Sequence, residues 1–448
     1  MKKIIPIYLC LVSILSLPLQ AKIDLVTLPS RDNVALTLYK SQSMTFVQET
    51  RSLSLIQGIN ELQFSWLHTQ IDPASIHIIP KNPSQDIDIK NIRFPAHMDQ
   101  MAIWKINSTR AITVPMQLRY LTAGLDWRAY YVAILSTDEK SMQLKGVVRV
   151  NNHSGESYEN AKIYLVMGSV NMLDPIEKLS YGHPEKARSG RKKGTRVNKR
   201  EIFQLTAQMD SAMHAPTPNV MKMATASEYA VFEFDRRENL KDKWDRQLIL
   251  MENQAIPVTN VYQFNAEKYG KKVVRLIKFQ NRPTRLNQQK EMPLPGGKIQ
   301  IYRDIYKNKH FTYEGKAHLD DIPVGKTVEI ILGDQNQVTV DKKRMKNRTD
   351  HYQFDTEGNI LSWEEFFQDR IELNNTRSVS VMIEVICRLN ATNWKIDLND
   401  EWVMFEKINQ HTIKFCALLD QHTQTGFSYD VHINHRNNSG VIGNHMGR

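Results

Sequence analysis

The chain has 448 residues, of which 41% are hydrophobic and 24% are charged, and its formal net charge at pH 7 is +11. This apolar content can fill the cores of two to four domains, so a globally disordered chain is excluded. Ten cations lie in two short segments, Lys2–Lys3 and residues 186–200, and without them the net charge is near +1. A basic folded face of the kind that binds nucleic acid is therefore not expected.

The N-terminus has the three parts of a secretory signal. Lys2 and Lys3 form a basic head, residues 4–19 are an almost uncharged apolar run, and Ala21 offers a small residue for cleavage. We predict that residues 1–21 are a signal peptide and that the mature chain is exported to the periplasm or the cell surface. An uncleaved N-terminal anchor is the alternative. No second apolar run is long enough to span a membrane, so no transmembrane span is expected after cleavage.

Residues 22–110 alternate apolar and polar side chains in short stretches. In "NELQFSW", for example, Leu62, Phe64 and Trp66 occupy every second position, and Gln57-Gly58 supply a turn just before this stretch. Alternation with period two between turn residues is typical of half-buried antiparallel strands. This part of the chain is predicted to be an N-terminal β domain.

The same period continues through residues 111–345, which are predicted to be a central β-sandwich region. Strand-like stretches such as "SMQLKGVVRV" and "KTVEIILG" are separated by turn clusters such as "NNHSGES". Residues 174–226 lose the period and are basic and rich in Ser, Thr and Pro. Such a segment buries too little apolar surface to offset its ordering entropy, so we expect a mobile, disordered basic linker there.

The stretch "GLDWRAYY" combines a turn glycine with a cluster of large rings. Period two puts Trp127, Ala129 and Tyr131 on one face of a strand, and Arg128 and Tyr130 on the other. Alternating large and small side chains suit the interior of a sandwich, and burying a Trp there is worth about 3–5 kcal/mol on truncation. We predict that this stretch is core; the alternative is an aromatic platform for a ligand.

The linker contains a run of cations without any acid. The run could contact anionic lipid headgroups or acidic glycans of a cell envelope, or it could be a solvated, protease-sensitive segment. The candidate contacts are Lys186, Arg188, Arg191, Lys192, Lys193, Arg196, Lys199 and Arg200.

Residues 346–436 are predicted to be a C-terminal immunoglobulin-like β-sandwich, and residues 437–448 a tail. A capping-box spacing of Ser362 and Glu365 permits a helix start, although that stretch could also be extended. Alternation puts Cys387 on the apolar face of "SVSVMIEVICRL" and Cys416 on the polar face of "HTIKFCALL". Sulfur atoms on opposite faces cannot meet without a bulge, so a disulfide is not favoured.

Motifs that could carry chemistry are weak. "PVGKT", residues 323–327, lacks the first glycine and the following helix of a phosphate-binding loop. His432 and His435 are three apart, which would need a helix to converge on a metal ion. Soft sulfur and imidazole ligands for copper occur in the linker, but a mobile segment of ordinary methionine content is the favoured explanation. They are Met209, Met213, His214, Met221 and Met223. No catalytic, cofactor-binding or metal-binding residue is predicted.

Several stretches resemble one family of exported bacterial proteins. They are "VALTLYKSQSMTFVQETRSLSLIQGINELQFSW", "LRYLTAGLDWRAYYVAIL", "GVVRVNNHSGESYENAKIYLVMGSVN", "PLPGGKIQIYR" and "RSVSVMIEVICRLNATNWKI". They are similar to the domain of unknown function 4139 family, which includes the mucoidy-inhibitor-A-like proteins. The chain lacks that family's long coiled-coil insertion, and its basic linker matches no family motif. The resemblance implies an exported, mainly β protein without assigned biochemistry.

Together these patterns predict a mainly β chain of multi-domain antiparallel β-sandwich (immunoglobulin-like) units. The function expected from them is that of an exported, non-enzymatic envelope scaffold or interaction module. Its expected partners are envelope proteins or anionic envelope polymers, with no nucleic acid and no cofactor. An enzyme or ligand-binding protein whose site is assembled between domains is the alternative.

Overall fold

The structure is a computed structural model that describes residues 25–40, 43–96, 100–168, 221–226, 229–282, 292–305, 310–398 and 400–436. The regular secondary structure of the described residues is β-strand, apart from one 3-10 turn (Pro73–Ser75) and one four-residue helix, α1 (Ala266–Tyr269). The mainly β, multi-sheet class predicted from the sequence is confirmed. Among the described residues, no helix has the length and apolar content needed to cross a membrane.

In chain order, the strands fall into three successive groups. The first group is β1 (Leu25–Thr27), β2 (Asn33–Tyr39), β3 (Met44–Leu55), β4 (Gly58–Ser65), β5 (His77–Pro80), β6 (Ile87–Arg93), β7 (Met101–Ser108), β8 (Ile112–Ala123), β9 (Leu125–Leu135), β10 (Ser141–Asn152) and β11 (Tyr158–Met167). The second group is β12 (Met221–Ala226), β13 (Tyr229–Phe234), β14 (Glu238–Leu240), β15 (Trp244–Pro257), β16 (Thr259–Asn265), β17 (Val273–Gln280), β18 (Gly297–Asp304), β19 (Phe311–Leu319) and β20 (Thr327–Gln335). The third group is β21 (Val338–Phe354), β22 (Ile360–Asn375), β23 (Val381–Arg388), β24 (Trp394–Leu398), β25 (Met404–Asn409), β26 (Thr412–Leu419) and β27 (Thr423–Arg436).

Five sheets hold these strands. The first has the order β1-β4-β7-β6, the second β12-β13-β11-β2-β3-β8-β5 with β14 paired to β11, and the third β15-β10-β9-β18-β19. The fourth has the order β20-β17-β16-β23-β26-β25, and the fifth β21-β22-β27-β24. Most neighbours are antiparallel, but β1–β4, β2–β11, β9–β18 and β16–β23 are parallel. Parallel neighbours need long connections, so the chain repeatedly leaves a sheet and returns to it.

The side chains form two main hydrophobic cores. One joins the first three sheets and runs from Val34 to Ile330, and the other lies between the fourth and fifth sheets and runs from Tyr262 to Ile433. Strand β17 contributes to both, with Phe279 in the first core and Val273 in the second. We call these the first core and the second core.

The sheets run across both domain boundaries that the sequence predicted. In the second sheet, β2, β3 and β5 from residues 22–110 pair with strands from residues 111–345. In the fourth sheet, β16, β17 and β20 from the central region share a sheet with β23, β25 and β26. Period and composition reveal where strands lie, but they do not reveal which distant strands pair.

The predicted linker is too long at its C-terminal end. Met221–Ala226 form β12, which pairs antiparallel with β13. The prediction of a linker over these six residues is wrong, because a short edge strand can be held by its ladder to a neighbour without a strong apolar period of its own. The other linker residues, the signal peptide and the tail lie outside the described residues.

The C-terminal strands follow the predicted alternation. Cys387 lies on the buried face of β23. Cys416 is half-buried and lies on the face of β26 that points away from the core, and both are free thiols. The predicted placement of the two thiols on opposite faces is confirmed. Ser362 and Glu365 lie in β22, so the alternative of an extended conformation holds and the helix start does not form.

Candidate functional site

The rings of "GLDWRAYY" fix β9, a strand of the third sheet, against the second sheet. Trp127 is 2% exposed, and its Nε1 donates to the carbonyl of Leu38 in β2, at 3.1 Å. Tyr131 is 1% exposed. The prediction that this stretch is core is confirmed. Arg128 is exposed, and Tyr130 is half-buried on the same outer face.

The turn "PLPGG" is held against β9 by close contacts. The hydroxyl of Tyr131 donates to the carbonyl of Pro295 at 2.7 Å. A Cβ at Gly297 would lie 2.1 Å from the carbonyl oxygen of Ala129, so only glycine permits this approach of β18 to β9. The amide of Gly296 donates to the carboxylate of Asp321. The turn is therefore positioned by two separate parts of the chain, β9 and the segment after β19.

These contacts leave a cleft of about 530 Å³ beside the start of β18. This volume is within the range of small-molecule sites. Residues of β9, the "PLPGG" turn, the "HLDD" segment and the β2–β3 connection line it. The polar and charged ones are Lys40, Ser43, Asp126, Arg128, Tyr130, Lys298, His318, Asp320 and Asp321.

The cleft carries charges of both signs, and part of them is already paired. Lys40 contacts Asp321, and Arg128 approaches Asp126 at 3.5 Å. Lys298, His318 and Asp320 are exposed, and their side chains have no hydrogen bond or ion pair with other described residues. The arrangement can hold a small polar ligand by charge and hydrogen bonding.

Sequence reasoning missed most of this lining. Neither "HLDD" nor Lys40 belongs to a recognisable sequence motif. One local signal was present: "PLPGG" and "HLDD" bracket a hairpin, so the turn before β18 and the end of β19 must meet. The contribution of β2 follows from packing between sheets, which the sequence does not encode locally.

A second polar cluster lies where the two cores meet. Arg275 of β17 donates to Glu314 of β19 at 2.7 Å and contacts Glu139 in the β9–β10 turn at 3.2 Å. Arg303 of β18 and Arg377, between β22 and β23, also contact Glu139, at 2.6 and 2.7 Å. We call these five residues the junction cluster.

The junction cluster is withdrawn from water, with the Arg275 side chain 3% exposed and that of Glu139 10% exposed. Burial by itself raises the pKa of Glu139. The hydrogen bond from Arg377 and the charges of Arg275 and Arg303 outweigh burial, so the pKa of Glu139 lies below its usual value. The carboxylate is held ionised between the two cores, and the cluster serves to fix one core against the other.

The weak motifs fold as the sequence suggested. "PVGKT" is a turn that leads into β20, with no helix behind it. His432 and His435 lie on opposite faces of β27: the ring of His432 packs on Phe366, and His435 contacts Glu365 at 2.9 Å. Met221 and Met223 belong to β12, whereas Met209, Met213, His214 and the eight cations of the basic run lie outside the described residues.

Comparisons with known proteins add no assignment. No protein-family model matches the chain, and no curated protein is significantly similar to it.

Proposed function

We propose that the chain is an exported, non-enzymatic envelope protein of the domain of unknown function 4139 type, acting as a scaffold or interaction module. The observation that carries this proposal is the junction cluster, which joins two β cores through five charged side chains, one buried and four half-buried. Fixed relative positions of two sandwich bodies suit a protein that presents surfaces to partners. The rings of "GLDWRAYY" support the same view, because they are used in packing.

The experiment combines export and capture. A C-terminally tagged chain, expressed with and without residues 1–21, is fractionated, and the intact form is crosslinked in cells before partners are identified. We expect the intact form outside the cytoplasm and crosslinked to defined envelope components. Retention of both forms in the cytoplasm, or an absence of crosslinked products, contradicts the proposal.

The basic run supplies a separate arm of this test. The mature chain and a variant with the eight cations replaced by Gly and Ser are compared on vesicles containing an anionic lipid and on neutral vesicles. If the run contacts anionic envelope surfaces, the variant loses the binding to anionic vesicles and neither form binds neutral ones. Unchanged binding assigns the run to a solvated linker.

A second candidate function is favoured by the cleft beside β18. It is built from the β2–β3 connection, β9 and the β18–β19 hairpin, as expected for a ligand-binding site assembled from distant segments. An acidic monosaccharide, with glucuronate as the probe, matches the unpaired Lys298 and the exposed Arg128. Saturable binding that is lost in Arg128→Ala and Lys298→Ala and kept in Lys316→Ala, outside the cleft, would establish this function. Equal binding by all four proteins rejects it.

A further inference from the structure

The hairpin of β21 and β22 extends beyond the second core. No side chain between residues 343 and 366 is buried, so both faces of its outer part are open to solvent. Strands usually keep at least one face packed. Because both faces of this paired extension are exposed, it does not serve to fill a core.

Three metal-ligating side chains meet on this extension. The Nδ1 atom of His351 lies 2.9 Å from Oε2 of Glu364 and 3.1 Å from Oδ1 of Asp350. The three ligand atoms all lie within 4.8 Å of one another. Two ligands that bind one Zn²⁺ ion at ordinary bond lengths and a tetrahedral angle are about 3.4 Å apart. Small side-chain rotations therefore bring the three atoms around a single ion.

An irregularity in the β21–β22 pairing brings these three side chains to one face of the hairpin. Successive residues of a strand normally point to opposite faces, so Asp350 and His351 should diverge. The β21–β22 register shifts between Asp350 and Gln353, and His351 has a φ of +54°. The shift turns the imidazole toward the carboxylates.

The cross-strand pairing places two carboxylates against each other. Asp350 lies directly opposite Glu364, and like charges at such positions are destabilising. Arg348 approaches Asp350 at 3.3 Å but is 66% exposed, which leaves much of the repulsion uncompensated. A divalent ion between the two carboxylates would remove it.

We propose that Asp350, His351 and Glu364 form a binding site for a divalent transition-metal ion such as Zn²⁺. One imidazole and two carboxylates are ligands that such ions accept, and solvent completes the coordination on the open side.

The test is calorimetric titration of the whole protein with Zn²⁺ alone. His351→Ala and Glu364→Gln should each weaken one site of the wild-type isotherm by at least about tenfold, since even an outer-shell partner contributes tenfold or more. All three residues are exposed or half-buried, so the variants keep the fold, which circular dichroism checks. Asp350→Asn provides an independent substitution of the third ligand and should weaken the same site.

The matched control is the double variant His435→Ala with Glu365→Gln. These residues form a histidine–carboxylate contact of the same 2.9 Å length on the neighbouring strands β27 and β22, and no described residue adds a third metal ligand there. The control should bind Zn²⁺ as the wild type does. The proposal is overturned if the wild type binds no Zn²⁺, if His351→Ala and the wild type give the same isotherm, or if the control loses the same site.

Discussion

Gly297 decides how closely β18 can approach β9. The Gly296 amide donates to Asp321, and the Gly297 backbone lies against Ala129, where a Cβ would be 2.1 Å from the carbonyl oxygen. A main-chain contact of this kind cannot be relieved by a side-chain rotation. The floor of the cleft is therefore set by the absence of a side chain at Gly297.

Replacing Gly297 by Ala should destabilise the protein by about 1–3 kcal/mol, because the added methyl group forces β18 away from β9. Urea unfolding followed by circular dichroism measures this loss. Lys298→Ala is the control, since it removes an exposed neighbour and leaves the backbone contact intact. Equal stability of Gly297→Ala and the wild type would show that β18 can move away from β9 without a loss of stability.

The strands illustrate what a period of two reveals. Alternation correctly separated the buried Trp127 from the exposed Arg128, and the buried Cys387 from Cys416, because the two faces of a strand lie in different surroundings. Alternation does not reveal the pairing register of the strands or their order in a sheet. It could not show that β9 has the parallel neighbour β18, or that Asp350 faces Glu364, since both depend on pairing between distant or irregular segments.

The reactivities of the two thiols test whether side chains alternate between a buried and an outer face along these strands. Cys387 is buried between the fourth and fifth sheets, whereas Cys416 is half-buried on the outer face of the fourth. Burial raises the pKa of both thiols; for Cys416 the charge of Lys414 opposes this effect only in part. We therefore expect both to be slow nucleophiles at neutral pH, with Cys416 the faster.

Titration of the mature chain with a thiol reagent, without reductant, should label Cys416 alone in the native protein and both thiols in urea. Peptide mass mapping identifies the labelled site, and Cys416→Ser should abolish the native reaction. Failure to label either thiol in urea would mean that they are oxidised to a disulfide, contrary to their placement on opposite faces.

The molecule as a whole is two cores joined by charge as well as by β17. The sequence could not reveal the junction cluster, because Glu139 is 136 residues from Arg275 and 238 residues from Arg377. Each of these side chains, taken alone, looks like an ordinary surface charge. Only the packing of the third sheet against the fourth brings them together and excludes water from them.

Replacement of Glu139 by Gln should lower the free energy of unfolding by about 3–5 kcal/mol at pH 7, because it leaves buried guanidinium groups without their shared carboxylate. The loss should depend on pH with a definite sign. The pKa of Glu139 is lower in the folded protein than its usual 4.5, so its contribution is fully present above that value and is lost as the pH falls through the folded pKa. Urea midpoints of the wild type and Glu139→Gln should therefore differ at pH 7 and converge in the acid range below pH 4.5.

Glu267→Gln, which removes the carboxylate of an exposed pair with Arg388, should change little at either pH. A difference between wild type and Glu139→Gln that stays constant down to the lowest pH at which the protein remains folded would show that the ionised carboxylate does not hold the two cores together.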